Sequence, residues 1–235
     1  MKFLDIFIED CRYYDQKNIE TNTILKYVKV KGKTLLDIGC GIGRHSFPLA
    51  KYAEIVIALD KDKRFLEYFN KHKKRNVIFI NKKAEKYLRK RKKFDIILLA
   101  WPTDFNSKFI RLIKKFMHEN SIFMTCNNSS DFESIIDKLN IIKKSYNKDI
   151  KKKFMFINLL TKKFKLLMKK KIFTEYLYPN KQKAFRIIKN NLKLFSNIKL
   201  NKNQQEKLKD LINKHKIGKK IKFDEEVWFY LLTLK

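Results

Sequence analysis

The sequence predicts an α/β fold in which helices cover both faces of a doubly wound, mostly parallel sheet. Three features predict this class. Short apolar runs alternate with helix-like segments through the first half of the chain. These runs are continuously apolar, as parallel strands buried on both faces are. A final run, Glu225–Leu234, follows two amphipathic segments and predicts an antiparallel strand that closes a sheet of seven strands.

The predicted elements follow one another without a Gly-, Ser- or Pro-rich linker, which favours a single domain. Apolar residues at helical spacing, such as Phe65, Leu66 and Phe69, indicate the inward face of a helix. Residues 151–178 carry β-branched and aromatic residues broken by lysines, which predicts one or two strands. The strands predicted in the first half are Thr34–Ile38, Ile55–Leu59, Val77–Ile80, Phe94–Ala100 and Ser121–Cys126. The predicted helices are 17–29, Arg44–Lys51, Lys63–Lys73, Glu85–Arg91, Phe105–Met117, Asp131–Lys143, Lys181–Leu194 and Gln204–Lys216.

The net charge of +32 raises the question of an anionic partner. The basic residues are 48 Lys and only 8 Arg, and Ile and Asn are also abundant, a composition toward which an A+T-rich genome drifts. Recognition of phosphates and bases favours the forked guanidinium of Arg, which the ammonium of Lys does not replace. Residues 143–220 nevertheless hold 24 Lys and one Arg against four acids, or +21. Such a concentration of positive charge in one region is typical of proteins that bind RNA or another polyanion. Compositional drift and RNA binding therefore both remain open.

The cysteines and the lengths of the apolar runs indicate the cellular location to expect for the protein. Cys11, Cys40 and Cys126 lack the spacing of a metal site or a disulfide framework, which predicts no metal and a reducing, cytoplasmic location. The first ten residues contain acids and no small-residue cleavage site, so no signal peptide is expected. No apolar run approaches the roughly 20 residues that cross a bilayer, and no membrane partner is expected.

The segment Asp37–Gly43 carries the clearest chemistry of the chain. An apolar strand ends on Asp37, and glycines follow at alternate positions, where they allow a sharp turn and close approach of a ligand to backbone. Arg44 stands where the dinucleotide pattern G-x-G-x-x-G would place its third glycine. Asp60 ends the next apolar run, where a carboxylate can accept both hydroxyls of a ribose. With Asp37 available for an ammonium group, the spacing favours S-adenosylmethionine over a pyrophosphate.

These motifs resemble those of the class I S-adenosylmethionine-dependent methyltransferases over about the first 125 residues. The resemblance rests on LLDIGCGIG at 35–43 and VIALD at 56–60, with FDIILLAW at 94–101 as a supporting match. It implies a Rossmann-like fold and S-adenosylmethionine as methyl donor. Lys83 stands where the family often has an acid for the adenine amine, so Glu85 or the backbone would replace it. The implied cofactor-binding residues are Asp37, Gly39, Cys40, Gly41, Gly43, Asp60, Lys61, Ala84, Glu85, Ala100, Trp101 and Tyr14.

The resemblance also suggests how one domain of residues 1–235 is organised. Residues 1–142 form the cofactor-binding half, residues 143–220 a lysine-rich substrate region with helices that could act as a lid, and residues 221–235 the closing strand.

Three residues are candidates for catalysis, each with an ordinary structural alternative. Trp101 follows the fourth strand and either stacks on substrate or cofactor or packs as a strand-end aromatic. His45 is either a general base or, more ordinarily, a helix-start histidine near solvent. Glu175 is either the receiver of a cationic or amine substrate or, more ordinarily, a salt-bridge partner of a nearby lysine.

The functional expectation is methyl transfer to a small soluble acceptor. Trp101-Pro102-Thr103-Asp104 lacks the Asn- or Asp-Pro-Pro-aromatic sequence of many enzymes that methylate exocyclic base amines. One alternative is an RNA methyltransferase that uses residues 143–220 to bind its substrate. Another is a non-catalytic protein that binds the cofactor.

Overall fold

A mostly parallel β-sheet with flanking helices is the framework of the protein. The computed structural model describes residues 3–87, 92–102, 106–128, 139, 156–195 and 197–235. The strands are β1 (Thr34–Ile38), β2 (Ile55–Asp60), β3 (Val77–Asn81), β4 (Phe94–Ala100), β5 (Met117–Asn128), β6 (Phe164–Tyr178), β7 (Lys216–Ile217) and β8 (Lys220–Leu234). The helices are α1 (Phe3–Tyr13), α2 (Ile19–Tyr27), α3 (Ser46–Leu49), α4 (Arg64–Lys71), α5 (Ala84–Tyr87), α6 (Ser107–Lys115), α7 (156–163), α8 (Lys181–Phe195) and α9 (Lys202–Lys214).

The strand order β3-β2-β1-β4-β5-β8-β6 places β1 at the centre of the parallel part. The pairs β1/β2, β2/β3, β1/β4 and β4/β5 are all parallel. From β1 the chain moves outward to β3 on one side and then returns to β4 on the other. Ligands of such sheets bind at the carboxyl ends of the strands on either side of this reversal, which here are β1 and β4.

The C-terminal end of the sheet introduces the antiparallel direction. β7 pairs antiparallel with β8, with Ile217 opposite Lys220. The hydroxyl of Thr233, near the end of β8, donates to the carbonyl of Ser121 in the first half of β5 at 3.1 Å. The predicted fold class of a mostly parallel sheet with an antiparallel C-terminal strand is therefore confirmed, and the two-residue β7 is an eighth strand that was not predicted.

The chain divides into two compact units. One unit comprises residues 21–127, 147–171 and 228–235, and it contains the parallel strands. Its core is formed by apolar residues of the strands and of α6, together with Phe156 and Leu160 of α7, which are fully buried. Parallel strands covered on both faces account for runs such as Ile96–Leu99, where each residue is buried.

The other unit comprises residues 1–20, 128–146 and 172–227. Its core contains Ile188 and Leu192 of α8 together with Leu208 of α9, and all three are buried. Acids of α1 pair with basic and amide groups of α8. Glu9 binds Lys183 at 2.7 Å and Arg186 at 2.5 Å, so part of the lysine-rich region is neutralised within its own unit.

Asp95 holds the amino ends of β1 and β4 together. Its carboxylate accepts hydrogen bonds from the backbone N–H and the hydroxyl of Thr34, both at 2.8 Å, and Lys33 lies 3.4 Å away. Partial burial alone would raise the pKa of Asp95. The two bonds from Thr34 and the charge of Lys33 outweigh it and lower the pKa to about 2.

Several predicted elements need correction. The predicted helix Arg44–Lys51 is only Ser46–Leu49, because the N–H groups of Lys51 and Tyr52 bond three residues back and close tight turns. Leu66 is 42% exposed, so the inward face of α4 is narrower than predicted. Residues 156–163 are helical where only strands were expected, and α1 was not predicted. The predicted helix Asp131–Lys143 lies outside the described residues except for Leu139.

None of the helices among the described residues combines the length and the apolar character needed to cross a membrane.

Candidate cofactor site

The glycine loop follows β1 at the carboxyl end of the parallel strands. Gly39, Gly41 and Gly43 have φ values of +72°, +56° and +80°, a left-handed region that is costly for residues with a Cβ. The N–H groups of Gly39 and Cys40 donate to the carbonyl of Leu59 at 2.8 and 3.2 Å. These bonds attach the loop to the end of β2, so the conformation is held by the sheet itself.

The glycines meet different surroundings. A Cβ added at Gly43 would lie 2.8 Å from the rings of Phe47 and Phe69, which belong to a small aromatic cluster beneath the loop. A Cβ added at Gly39 would meet no atom within 4 Å. Gly43 is therefore required for packing as well as for its φ angle, whereas Gly39 borders open space that a ligand can enter.

Asp60 fixes the loop from the neighbouring strand. Its carboxylate accepts the N–H of Gly41 at 3.0 Å and the N–H of Asp62 at 2.9 Å. Burial raises the pKa of Asp60, and these two donors oppose the rise only in part. An ionised carboxylate offers about four lone-pair positions, so two bonds to backbone leave acceptor capacity for the hydroxyls of a ribose.

Asp37 lies in β1 between Ala58 and Leu98 in the sheet register and is 2% exposed. The hydroxyl of Ser46 donates to its carboxylate at 2.6 Å. Burial raises the pKa of Asp37, and nearby His45 and the bond from Ser46 oppose the rise. A buried carboxylate in this state gains from a cationic group brought beside it, as the ammonium of an amino-acid tail would be.

His45 corrects the expectation of a histidine near solvent. It occupies the position before α3 and is only 4% exposed. Its Nδ1 lies 3.1 Å from the hydroxyl of Thr21. The glycine loop turns the chain back against the sheet, which brings the start of α3 inward and buries the ring. Its role as a general base stays a prediction.

The end of β4 contains an unusual backbone conformation. Trp101 has φ of +53°, although a bulky residue in this region is an outlier that its surroundings must hold. Its N–H donates to the carbonyl of Cys126 at 2.9 Å, and Ala100 pairs with Cys126 in the register. Trp101 therefore follows the carboxyl end of β4. The carboxyl ends of β1 and β2 lie at the same edge of the parallel sheet, and the methyl-transfer face is predicted there.

The remaining predicted residues of this unit surround the ends of β2 and β3. Ala84 begins α5 and is partly buried, whereas Glu85 and Lys61 are exposed. Cys40 is buried, and burial raises the pKa of its thiol well above the ordinary value, which keeps it protonated and unreactive. The side-chain amide of Asn81 donates to the carbonyl of Asp60 at 3.1 Å and ties the two strand ends together. Cofactor contacts of all these residues stay predictions.

Tyr14 and Glu175 belong to the other unit. The hydroxyl of Tyr14 donates to Glu20 and accepts from Thr174 at 2.9 Å. Glu175 pairs with Lys17 at 3.1 Å and with Lys222 at 3.5 Å, as its salt-bridge alternative predicted. The proposed role of Tyr14 at the cofactor and of Glu175 at a substrate stays a prediction.

Sequence reasoning missed Ser46 and Thr21, the partners of Asp37 and His45. Ser46 lies at the start of a helix, where serine is common for local capping reasons, so nothing in the sequence pointed to Asp37. Thr21 precedes His45 by 24 positions and shares no motif with it.

Comparison with known proteins identifies the family of the chain. Residues 29–157 match the family described as "Methyltransferase domain", and the chain belongs to this family. The resemblance to class I S-adenosylmethionine-dependent methyltransferases is thereby confirmed, and membership implies that cofactor as donor. A curated relative, the ubiquinone biosynthesis O-methyltransferase of Pelagibacter ubique (strain HTCC1062), is 38% identical over 71 residues. That match covers 29% of this chain and 30% of the relative.

Solved structures share the fold at low sequence identity. The YcgJ protein of Bacillus subtilis has a TM-score of 0.58 at 14% identity, over 92% of this chain and 98% of that one. The precorrin-6y C5,15-methyltransferase of Geobacter metallireducens GS-15 has a TM-score of 0.54 at 10% identity, over 92% and 87%. Precorrin 8w decarboxylase of Methanobacterium thermoautotrophicum has a TM-score of 0.55 at 13% identity, over 92% and 90%.

Proposed function

We propose that the protein is a methyltransferase that uses S-adenosylmethionine to methylate a small soluble acceptor. One observation carries the donor assignment. Three left-handed glycines follow β1, and the carboxylate that ends β2 holds the amide of the middle one. Open space beside Gly39 and unused acceptor capacity on Asp60 fit a nucleoside with a ribose.

The chain's residues would bind and orient the donor. Asp60 would accept the ribose hydroxyls, and the buried charge of Asp37 would receive the ammonium of the methionine tail. When bound, S-adenosylmethionine supplies an electrophilic methyl group on a sulfonium. Transfer of such a group depends mainly on alignment, so the strained Trp101 at the end of β4 would contribute by orienting the acceptor. His45 would be needed as a base only for an acceptor that arrives protonated.

The acceptor class is supported by the curated relative, whose name places it in ubiquinone biosynthesis as an O-methyltransferase. The chain matches only about a third of that protein's length, so the relative favours a small acceptor without naming one. The proposed location is cytoplasmic, because the spacing of Cys11, Cys40 and Cys126 is not that of a disulfide framework.

An RNA acceptor is the second candidate. Residues 143–220 carry a charge of +21, and Lys165, Lys169 and Lys171 of β6 are exposed. A non-catalytic cofactor-binding protein is the third candidate, and turnover separates it from the other two.

Two measurements test the proposal. Calorimetric titration with S-adenosylmethionine and S-adenosylhomocysteine should show one site per chain. A tritiated-methyl transfer assay against fractionated cell extract, with and without nuclease, should then label small molecules. Label found only in nuclease-sensitive material would replace the small acceptor with RNA, donor binding without any label would favour the non-catalytic protein, and no binding would refute the assignment.

A further inference from the structure

β6 is the terminal strand of the sheet order, and in its first half every second side chain from Lys165 to Lys171 is exposed, together with Leu166. Residues at alternate positions of a strand share a face. Lys165, Leu167, Lys169 and Lys171 are all exposed, and we call these four residues the lysine face. Doubly wound sheets ordinarily cover both faces with helices, so an exposed row of this length is available for a ligand.

The segment of sequence that contains the lysine face carries only positive charges. Residues 151–174 contain nine lysines and no acidic residue. Lys162 and Lys163, at the end of α7, are exposed as well. The lysine face also lies outside residues 29–157, the part of the chain that matches the methyltransferase family. Its charge therefore belongs to a segment that the shared donor-binding half does not require.

Aromatic rings stand beside these lysines. The Nζ of Lys169 lies 4.3 Å from the ring centre of Trp228 on β8, and the Nζ of Lys171 lies 5.0 Å from it. The Nζ of Lys170 donates a hydrogen bond to the hydroxyl of Tyr27, which is 37% exposed. Cations over an aromatic face at these distances are favourable. Trp228 is partly buried, so a base that stacks on its ring would take the place of these ammonium groups as they turn to phosphates.

We propose that the lysine face together with Trp228 binds a single strand of nucleic acid. The lysines would contact phosphates, and Trp228 would stack on a base. The segment has no arginine, so binding would show little sequence preference. Leu166, Leu167 and Phe173 of β6 are exposed as well, so an acidic membrane is the competing ligand, and binding to vesicles of acidic lipid would be measured beside binding to nucleic acid. This binding goes beyond the proposed methyl transfer and does not depend on the donor site.

Lysines on a terminal strand also have a simpler explanation, since they discourage pairing with the edge of another sheet.

The experiment therefore compares two lysines of the lysine face with two exposed lysines elsewhere in the same unit. Fluorescence anisotropy of a labelled oligouridylate of about 12 nucleotides would be measured with the full chain, starting at about 50 mM salt. The test variant is Lys165→Glu with Lys169→Glu. The control is Lys51→Glu with Lys73→Glu, which changes the net charge equally at exposed sites in the same unit.

The proposal expects the test variant to lose at least about tenfold in affinity and the control less than about threefold. The log–log slope of affinity against salt should fall by about 1.4 in the test variant, which is about 0.7 for each lost contact with a single strand. Trp228→Phe should weaken binding several-fold at unchanged salt slope. Circular dichroism and thermal unfolding would establish that each variant folds.

Three results would overturn the proposal: no binding by the wild type at about 50 mM salt, equal losses in the test and control variants, or binding only to vesicles of acidic lipid. Donor binding by the test variant, measured by calorimetry, should equal that of the wild type. A failure of the lysine face is therefore distinguishable from a failure of the donor site.

Discussion

Replacement of Asp60 by alanine is the sharpest test of the donor site. The carboxylate accepts backbone N–H groups of Gly41 and Asp62 at 3.0 and 2.9 Å, and it is proposed to accept the ribose hydroxyls. A hydrogen bond to a charged group contributes about 1.5–3 kcal/mol. Water can replace the carboxylate at the two amides because the site is only half-buried, so we expect the loss in donor affinity to stay near one such bond. That loss corresponds to a dissociation constant raised about 10- to 150-fold.

Calorimetry on Asp60→Ala would measure this loss, with Asp62→Ala as the matched control. Asp62 lies two positions away, and its side chain pairs with Arg64 in an exposed bridge. Its removal leaves its own N–H donor to Asp60 in place, so donor affinity should change less than about twofold. Thermal unfolding without donor would report any collapse of the loop in Asp60→Ala. Donor affinity of Asp60→Ala within twofold of wild type, or equal losses in both variants, would refute the reasoning.

Four further predictions follow from the geometry. Gly43→Ala should lower the free energy of unfolding by about 1–3 kcal/mol, measured in urea, since its Cβ meets two aromatic rings at 2.8 Å, and an unchanged midpoint would contradict this account. Gly41→Val should abolish donor binding in calorimetry because of its left-handed φ, and retained affinity would place the donor elsewhere. Burial raises the pKa of both Asp37 and Asp60, so donor affinity should begin to fall at a pH above that expected for an ordinary aspartate. The same raised pKa values favour the folded chain as these groups take up protons, so unfolding should not accompany that loss. Asp95 has a lowered pKa of about 2, so its contribution is fully present above the ordinary value of 3.8 and is lost as pH falls through about 2. Asp95→Asn should therefore cost about 1–2 kcal/mol at pH 7 and progressively less as pH falls through that range.

The parallel part of the sheet could be predicted from the sequence because its signals are local. β1 and β4 have the predicted bounds, Thr34–Ile38 and Phe94–Ala100. Each is a short, mostly apolar run with one aspartate, Asp37 in β1 and Asp95 in β4, and strands buried on both faces require mostly apolar runs. The alternate glycines predicted a sharp turn, and Gly39, Gly41 and Gly43 have the left-handed backbone that glycine allows in such turns.

Sequence-based prediction of burial and secondary structure failed where contacts between residues distant in the sequence determine the outcome. His45 was expected near solvent at a helix start, but the loop returns to the sheet and buries it beside Thr21. Residues 156–163 carry β-branched and apolar residues that suit a strand, yet they form a helix whose Phe156 and Leu160 enter the core. The burial of those two side chains outweighs the local preference of the segment for a strand.

The order of apolar runs, glycines and acids by itself determined the fold class and the family, because backbone geometry and strand burial depend on neighbouring residues. The same order predicts the position of the donor site. Only the tertiary structure decided which groups surround the acids and which lysines remain exposed. Ser46 meets Asp37, and Lys169 meets Trp228, across separations of 9 and 59 positions. The first contact depends on how the glycine loop returns α3 to β1, and the second on the position of β6 beside β8 in the sheet; no local pattern encodes either.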